Sequence, residues 1–205
     1  MLESLAAPIV VKLGGSLAHD PSLRRWLHEL AGETTQRFVV VPGGGPFADA
    51  VRAAQGIWHF SDEVAHALAI AAMDQFGGIL CAIEPRSVPC ATRLQIESAW
   101  ADTRLPVWLP TRMMAGDPKL ARNWNVTSDT IAAWLAIELE AAGLLLIKSC
   151  DPGTDSGDLG VLAAAKVVDP GLPAFLARHA LAVRAVHKDR WGELAQLTTS
   201  LRSQV

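Results

Sequence analysis

Two apolar, β-branched runs in this chain stop at glycines, and each leads into a helical pattern. The first is Val10-Val11-Lys12-Leu13-Gly14-Gly15-Ser16-Leu17; the second is Val39-Val40-Val41-Pro42-Gly43-Gly44-Gly45-Pro46-Phe47. A strand that ends on glycine and hands over to a helix lets backbone N–H groups approach a ligand closely, and the helix N-terminus behind them favours an anion. Two such turns so near each other predict two anionic groups held side by side. Lys12, in the last turn of strand before the first glycines, adds a positive charge. Its strand is otherwise apolar, and an unpaired ammonium buried there would be costly. The combination points to phosphoryl transfer, where positioning and charge neutralisation do most of the work.

The remaining pattern repeats this strand-then-helix order. Strands are expected at Ile9–Leu13, Phe38–Val41, Val107–Leu109, Leu144–Ile147 and Leu181–Val186. Asp20-Pro21 opens one helix, Phe47–Gln55 forms a second, and Ser61-Asp62-Glu63 caps a third whose acidic first turn suits the helix dipole. Ser128–Ala142 reads as a helix closed by Gly143 as C-cap, with further helices at Pro170–His179 and Trp191–Leu197. Residues 85–125 are punctuated by prolines, and Ser149–Gly160 reads as a polar loop. Strands alternating with helices predict an α/β fold with a mainly parallel sheet covered on both faces. At 205 residues, half of them hydrophobic and 19% charged, the chain is long enough for one domain with a sizeable core.

Composition removes several function classes. A net charge of −3 with no basic tract argues against nucleic acid as a partner. Cys81, Cys90 and Cys150 form no C-x-x-C pair, which suits a reducing compartment better than a disulfide scaffold. Residues 1–8 lack a basic signal-peptide start, and Asp74, Gln75 and two glycines interrupt the most apolar stretch. A cytoplasmic protein with no membrane partner is expected. Lys12 precedes its glycines, so this is not a Walker A loop, where the lysine follows them. Gly43-Gly44-Gly45-Pro46-Phe47-Ala48 fits G-x-G-x-x-A, but the acidic pair at the dinucleotide-binding distance, Asp62 and Glu63, begins a helix instead of ending a strand.

Four segments together resemble the amino acid kinase family: V-V-K-L-G-G-S at 10–16, V-V-P-G-G-G at 40–45, N-V-T-S-D-T-I-A-A at 125–133 and L-L-I-K-S-C-D at 145–151. They occur in the family's order and span most of the chain. The resemblance implies a single three-layer α/β/α sandwich over 1–205. An acceptor-binding half would cover about 1–110 and a nucleotide-binding half about 111–205, and a homodimer or higher homo-oligomer is implied. It implies ATP with Mg2+ as the phosphoryl source and a small-molecule phosphate acceptor. By position, Lys12 resembles the lysine that stabilises the transferring phosphoryl, and Asp129 the aspartate that orients catalytic lysines. Gly14, Gly15 and Ser16 would cradle the terminal phosphates of ATP. Lys148, Asp151, Thr127 and Ser128 would contact nucleotide. Gly43, Gly44, Gly45, His66 and Asn125 would face the acceptor.

Taken without the resemblance, several of these residues have plainer readings. Asp129 suits the first turn of any helix, and a large stability loss with normal turnover in Asp129→Asn would mark that role; orienting cations instead predicts depressed turnover with less than about 1 kcal/mol lost, as for a surface substitution. Thr127 and Ser128 suit helix caps. A lone histidine among apolar residues, such as His66, is more often core. Within the family, the 62–77 segment and Trp124-Asn125-Val126-Thr127-Ser128-Asp129 are most similar to a compact archaeal-type branch that phosphorylates a furan-methyl phosphate. A helix histidine holds the acceptor phosphate in isopentenyl phosphate kinase. Arg52 is the competing candidate, a bidentate partner suited to a carboxylate acceptor. Trp58 and Trp124 flank motif segments and are candidates to stack on a flat acceptor. The chain departs from the family in lacking a G-G-M-x-x-K segment, whose lysine is the second catalytic cation; Lys166 is the nearest basic residue. Asp151–Asp158 is neither D-G-V-Y nor an EF-hand. These departures support an alternative function, a non-catalytic nucleotide- or anion-binding protein on the same scaffold.

Overall fold

The computed structural model describes residues 6–115, 120–153 and 158–203. Six strands form one sheet: β1 (Ile9–Leu13), β2 (Phe38–Pro42), β3 (Ser87–Cys90), β4 (Leu105–Trp108), β5 (Gly143–Lys148) and β6 (Val183–His187). Their order is β3-β4-β2-β1-β5-β6, and every pairing is parallel. Parallel neighbours need crossovers, and helices supply them: α1 (Ser22–Gly32), α2 (Gly45–Trp58), α3 (Asp62–Ile83), α4 (Arg93–Ala101), α5 (Thr111–Met114), α6 (Ser128–Glu138), α7 (Leu159–Ala164), α8 (Gly171–Leu176) and α9 (Leu194–Arg202). The expected parallel sheet with helices on both faces is what the chain forms.

Alternation along the strands builds two cores. From β1, Ile9, Val11 and Leu13 point to one face, where they meet Trp26, Leu27, Phe76, Leu80 and Leu197. Val10 points to the other face and joins Ile131, Leu135, Leu144, Leu146 and the stacked pair Trp108–Trp134. All are fully or almost fully buried, so truncating Leu135 or Leu146 to Ala would cost about 2–5 kcal/mol. Lys12 follows the parity of Val10 and therefore projects to the α6 side.

Some boundaries differ from the sequence expectation. α6 stops at Glu138 instead of running to Ala142, and Glu140 takes a left-handed φ of 51°. Gly143 is the first residue of β5 and not a C-cap. It is glycine because a Cβ there would lie 2.6 Å from the Leu201 side chain. The proline-rich stretch contains β3 and α4, whose start is capped by the Thr92 hydroxyl accepting from Gln95 N at 3.2 Å. Asp158 accepts from Gly160 N and Val161 N and so starts α7 inside the segment read as loop. Residues 154–157 of the aspartate-rich loop lie outside the described residues. α3 is long and apolar enough, by length and composition, to cross a membrane despite its interruptions; here Phe76 and Leu80 on one side of it pack into the core.

Candidate active site

In a parallel sheet whose strand order reverses about a central strand, ligands bind beyond the carboxyl ends of the strands. β1 is that strand here, with β2 on one side and β5 on the other. Both glycine turns follow the carboxyl ends of β1 and β2, and β5 ends at Lys148. A cavity of about 420 Å3 opens at this point.

Two of the glycines serve the meeting of the turns. A Cβ on Gly15 would stand 2.4 Å from Gly45 N, and one on Gly43 would stand 2.2 Å from Gly15 N. No side chain fits between them, so the two loops touch backbone to backbone. Gly43 N donates to Leu13 O at 2.8 Å, which ties the second turn to the end of β1. Gly45 begins α2 at φ +53°, with the Phe76 ring 3.3 Å from where a Cβ would sit. Ser16 Oγ meets Ser149 Oγ at 2.9 Å, so the loop after β5 joins the same rim.

The floor of the cavity is ionic. The parallel register sets Lys12 opposite Leu146, so Lys148, two residues further along β5, faces the same side as Lys12. Asp129, in the first turn of α6, lies between them. Lys12 Nζ is 2.8 Å from Asp129 Oδ1, and Lys148 Nζ donates to Asp129 Oδ2 at 2.6 Å. At Oδ1 the carboxylate is met by the Lys12 ion pair and at Oδ2 by Lys148. All three side chains are buried; Lys12 is 6% exposed, Asp129 4% and Lys148 7%. Burial alone would push the Asp129 carboxyl up, but the two ammonium groups outweigh it and hold it down at about 2. Burial, then the charge of Lys12, pull Lys148 down to about 8 against the attraction of Asp129 and Asp169. One carboxylate thus holds two cations that would otherwise repel, and leaves one net positive charge under the glycine loops.

The opposite wall is built differently. The Arg52 guanidinium sits 4.4 Å from the centroid of Trp124, with Nη1 3.0 Å from Asp49. The Trp124 indole N–H donates to Gln55 Oε1 at 2.7 Å, and Gln55 Nε2 donates in turn to Asp62 Oδ1 at 2.8 Å. His66, 6% exposed, lies one helical turn beyond Asp62 and lines the same cavity. Burial pulls its imidazole below the ordinary range, assisted by the charge of Arg122 and opposed by the carbonyls of Asn123 and Val126.

Of the residues singled out from sequence, Lys12, Gly14, Gly15, Ser16, Gly44, Gly45, His66, Thr127, Ser128 and Lys148 line the cavity, and Asp129 lies beneath the two lysines. Gly43 is used in loop contact and stands outside the wall. Asn125 is exposed; its carbonyl accepts from Gly171 N at 2.7 Å and its N–H donates to Asn123 Oδ1. Asp151 is exposed as well and closes a local turn onto Gly153 N at 2.9 Å. Arg52, Trp124 and Lys166 all belong to the wall, whereas Trp58 is 76% exposed at the end of α2. Asp169 carries no motif, yet it contacts the cation cluster through its own N–H, which donates to Asp129 Oδ2 at 3.2 Å. The one signal for it is the Asp-Pro pair at 169–170, the same helix-opening pair as at 20–21; its Oδ1 accepts from Leu172 N at 3.0 Å at the start of α8.

These residues fit a polyphosphate. Three lysines and close-packed glycine backbone surround the cavity, and among the described residues no cluster of His, Cys, Asp and Glu would hold a metal by itself. A magnesium ion with few protein ligands is the usual partner of substrate phosphates.

The chain is similar to known proteins in sequence and in fold. It is 27% identical over 143 residues to the [5-(aminomethyl)furan-3-yl]methyl phosphate kinase of Methanocaldococcus jannaschii, an alignment covering 69% of this chain and 66% of that protein. The fold is similar to the uridylate kinase of Archaeoglobus fulgidus, with a TM-score of 0.67 at 16% identity over 92% of this chain and 95% of that one. It is equally similar to the UMP kinase of Bacillus anthracis, with a TM-score of 0.67 at 14% identity over 95% and 92% of the two chains. The profile of the amino acid kinase family matches residues 7–152, which include both glycine turns, all three members of the ionic cluster and the strand that carries Lys148, and the chain belongs to that family.

Proposed function

We propose that this chain is an ATP-dependent kinase that transfers the terminal phosphoryl of ATP to a small phosphate monoester and yields a diphosphate. The observation that carries the reading is the buried Lys12–Asp129–Lys148 cluster beneath two glycine turns. In this reading an acceptor phosphate oxygen attacks the terminal phosphorus, the bond from that phosphorus to the bridging oxygen breaks, and ADP leaves with the electron pair. Charge on the three equatorial oxygens is met by the ammonium groups of Lys12 and Lys148. Asp129 fixes both cations before substrate arrives, so little reorganisation is needed at the transition state. Gly14, Gly15 and Ser16 offer backbone N–H groups to the phosphates of ATP, with Thr127, Ser128 and Lys166 beside them. Magnesium arriving with ATP would neutralise charge on its phosphates.

The acceptor end is assigned to the wall formed by Gly44, Gly45, His66, Arg52 and Trp124. A phosphate dianion gains from an imidazole that regains its proton on binding and from a guanidinium already held against an indole face. The named activity of the Methanocaldococcus jannaschii relative, a phosphate kinase, supports a phosphate acceptor over a carboxylate. The chain acts on small molecules in this reading, and the oligomeric assembly expected of the family is part of the same proposal. Incubating the protein with Mg-ATP and parallel panels of phosphomonoesters and carboxylates, and following ADP release and the 31P spectrum, tests it. The reading predicts ADP together with a diphosphate doublet for at least one phosphomonoester. Saturable ATP binding with no ADP from either panel would leave a binding protein and contradict it.

A further inference from the structure

The start of α6 is capped from outside the helix. Thr127 is its N-cap residue, but the Thr127 side chain caps nothing. The Asp169 carboxylate, from the segment just before α8, takes that place. Its Oδ2 accepts from Thr127 N at 2.9 Å, Thr127 Oγ1 at 2.9 Å and Thr130 N at 3.1 Å. Its Oδ1 accepts from Thr130 Oγ1 and from Leu172 N. Five donors on one buried carboxylate, set at the positive end of a helix, make a satisfied and charge-matched anchor. The same residue's backbone N–H donates to Asp129 Oδ2, the oxygen that also receives Lys148. Asp169 therefore grips α6 on both sides of Asp129 with its side chain, and Asp129 itself with its main chain.

We infer that Asp169 is a positioning residue, which locks the Asp129 carboxylate in the orientation that holds Lys12 and Lys148 together. Asp129 is met at Oδ1 by Lys12 Nζ at 2.8 Å and at Oδ2 by Lys148 Nζ and the Asp169 N–H, and of these three the Asp169 N–H is the one that belongs to the main chain. Lys12 and Lys148 reach the carboxylate through long side chains, whereas the Asp169 N–H is main chain, and its own side chain is tied down at five points. Asp169 also lies in the field of Lys148, where its charge adds to that of Asp129 in favouring the ammonium, against burial and Lys12. Asn at 169 keeps the shape, but its amide group must replace one of the two accepting oxygens and turns N–H toward N–H.

This inference rests on the kinase reading for its kinetic part and has a second part that does not. The experiment compares the intact wild-type chain with Asp169→Asn, Thr130→Val and Leu197→Ala at a temperature below the melting of all four. Thr130→Val removes one hydroxyl donor from Asp169 and keeps the β-branched shape. Leu197→Ala opens a cavity in the opposite core and tests for a purely structural effect. Positioning predicts that Asp169→Asn lowers kcat by about a hundredfold, within the range for lost transition-state donors, with the KM for ATP changed by less than about threefold. Thr130→Val should lower kcat by about threefold, and Leu197→Ala should leave it within about twofold. Should Asp169→Asn fail to fold, the Thr130→Val result decides in its place. Equal kcat losses in Leu197→Ala and Asp169→Asn, or no loss in either Asp169→Asn or Thr130→Val, would overturn the inference. The second part labels lysine with 13C at Cε and follows the Lys148 resonance with pH. Losing the Asp169 charge should move its midpoint downward; an unmoved midpoint would overturn the inference. If the wild type shows no turnover with any acceptor, the kinase reading fails, and the lysine titration still decides the role of Asp169.

Discussion

The two ends of the cavity are made from different physics. At the floor, Lys12, Asp129 and Lys148 are almost fully buried, paired at 2.8 and 2.6 Å, and held by strand register and a helix start. At the far wall, Arg52 is half-exposed, its ion pair with Asp49 faces water, and its main contact is an indole ring. An exposed pair of that kind is worth about 0–1 kcal/mol, whereas breaking a buried pair costs about 3–5 kcal/mol. The floor is therefore rigid and expensive to disturb, and the wall adjustable and cheap to disturb. Chemistry common to a family belongs on the first kind of surface, and choice of acceptor on the second.

The contrast is broken most sharply at Asp129. Asp129→Ala leaves two buried ammonium groups facing each other, so kcat should fall at least about a hundredfold and urea unfolding should show a loss of about 3–5 kcal/mol. The sequence expectation that neutralising Asp129 costs less than about 1 kcal/mol, as at a surface, gives way because the carboxylate is 4% exposed between two buried ammonium groups; a large stability loss with normal turnover would leave Asp129 a helix-start carboxylate only. Next in size is the acceptor wall. His66→Ala should raise the acceptor KM about tenfold and Arg52→Ala about threefold, both with the KM for ATP unchanged, in steady-state titrations with the same phosphomonoester. Equal effects of the two on ATP would erase the distinction between floor and wall.

Smaller effects follow from pH. Lys148 has a folded value of about 8, below its ordinary 10.5, so kcat/KM for ATP should decline as pH rises through about 8 as the free enzyme loses this cation. For stability the signs differ between the two groups. Asp129 is lowered from 3.8 to about 2, so its contribution, about 2 kcal/mol, is fully present above pH 3.8 and is lost as pH falls through about 2. Lys148 is also lowered, so its cost to folding is fully present below about pH 8 and has vanished above 10.5. Urea midpoints taken across both windows would show stability rising with pH in each.

Legibility in the sequence followed the same division. The glycine turns and Lys12 are readable because a strand and a turn are local events with local signatures; Asp129 reads locally as a helix start, and its link to the lysines comes from the family resemblance. Arg52 is a candidate by its closeness to the second turn, Trp124 by flanking the 125–133 segment and His66 by the family resemblance, but the stacking of Arg52 on Trp124 joins α2 to a loop more than 60 residues away. Lys148 was visible only as a strand-end lysine near the nucleotide. Its place opposite Lys12 depends on the register of β1 against β5, which no local pattern encodes. Asp169 was hidden for the same reason, since its partners Thr127, Asp129 and Thr130 lie about 40 residues back in the chain. Gly43 and Asn125 were drawn into the acceptor set by their neighbours; the first is needed for loop-to-loop contact and the second turns outward.

The central claim is that the buried lysines act on the phosphoryl in transfer more than on bound ATP. Lys12→Ala, with kcat measured at saturating ATP and acceptor and the ATP Kd measured separately by calorimetry, tests it most directly. The account predicts a fall in kcat of about a hundredfold or more with the Kd changed by less than about threefold. A folded Lys12→Ala variant with unchanged kcat, or one whose whole loss appears in the ATP Kd, would contradict it.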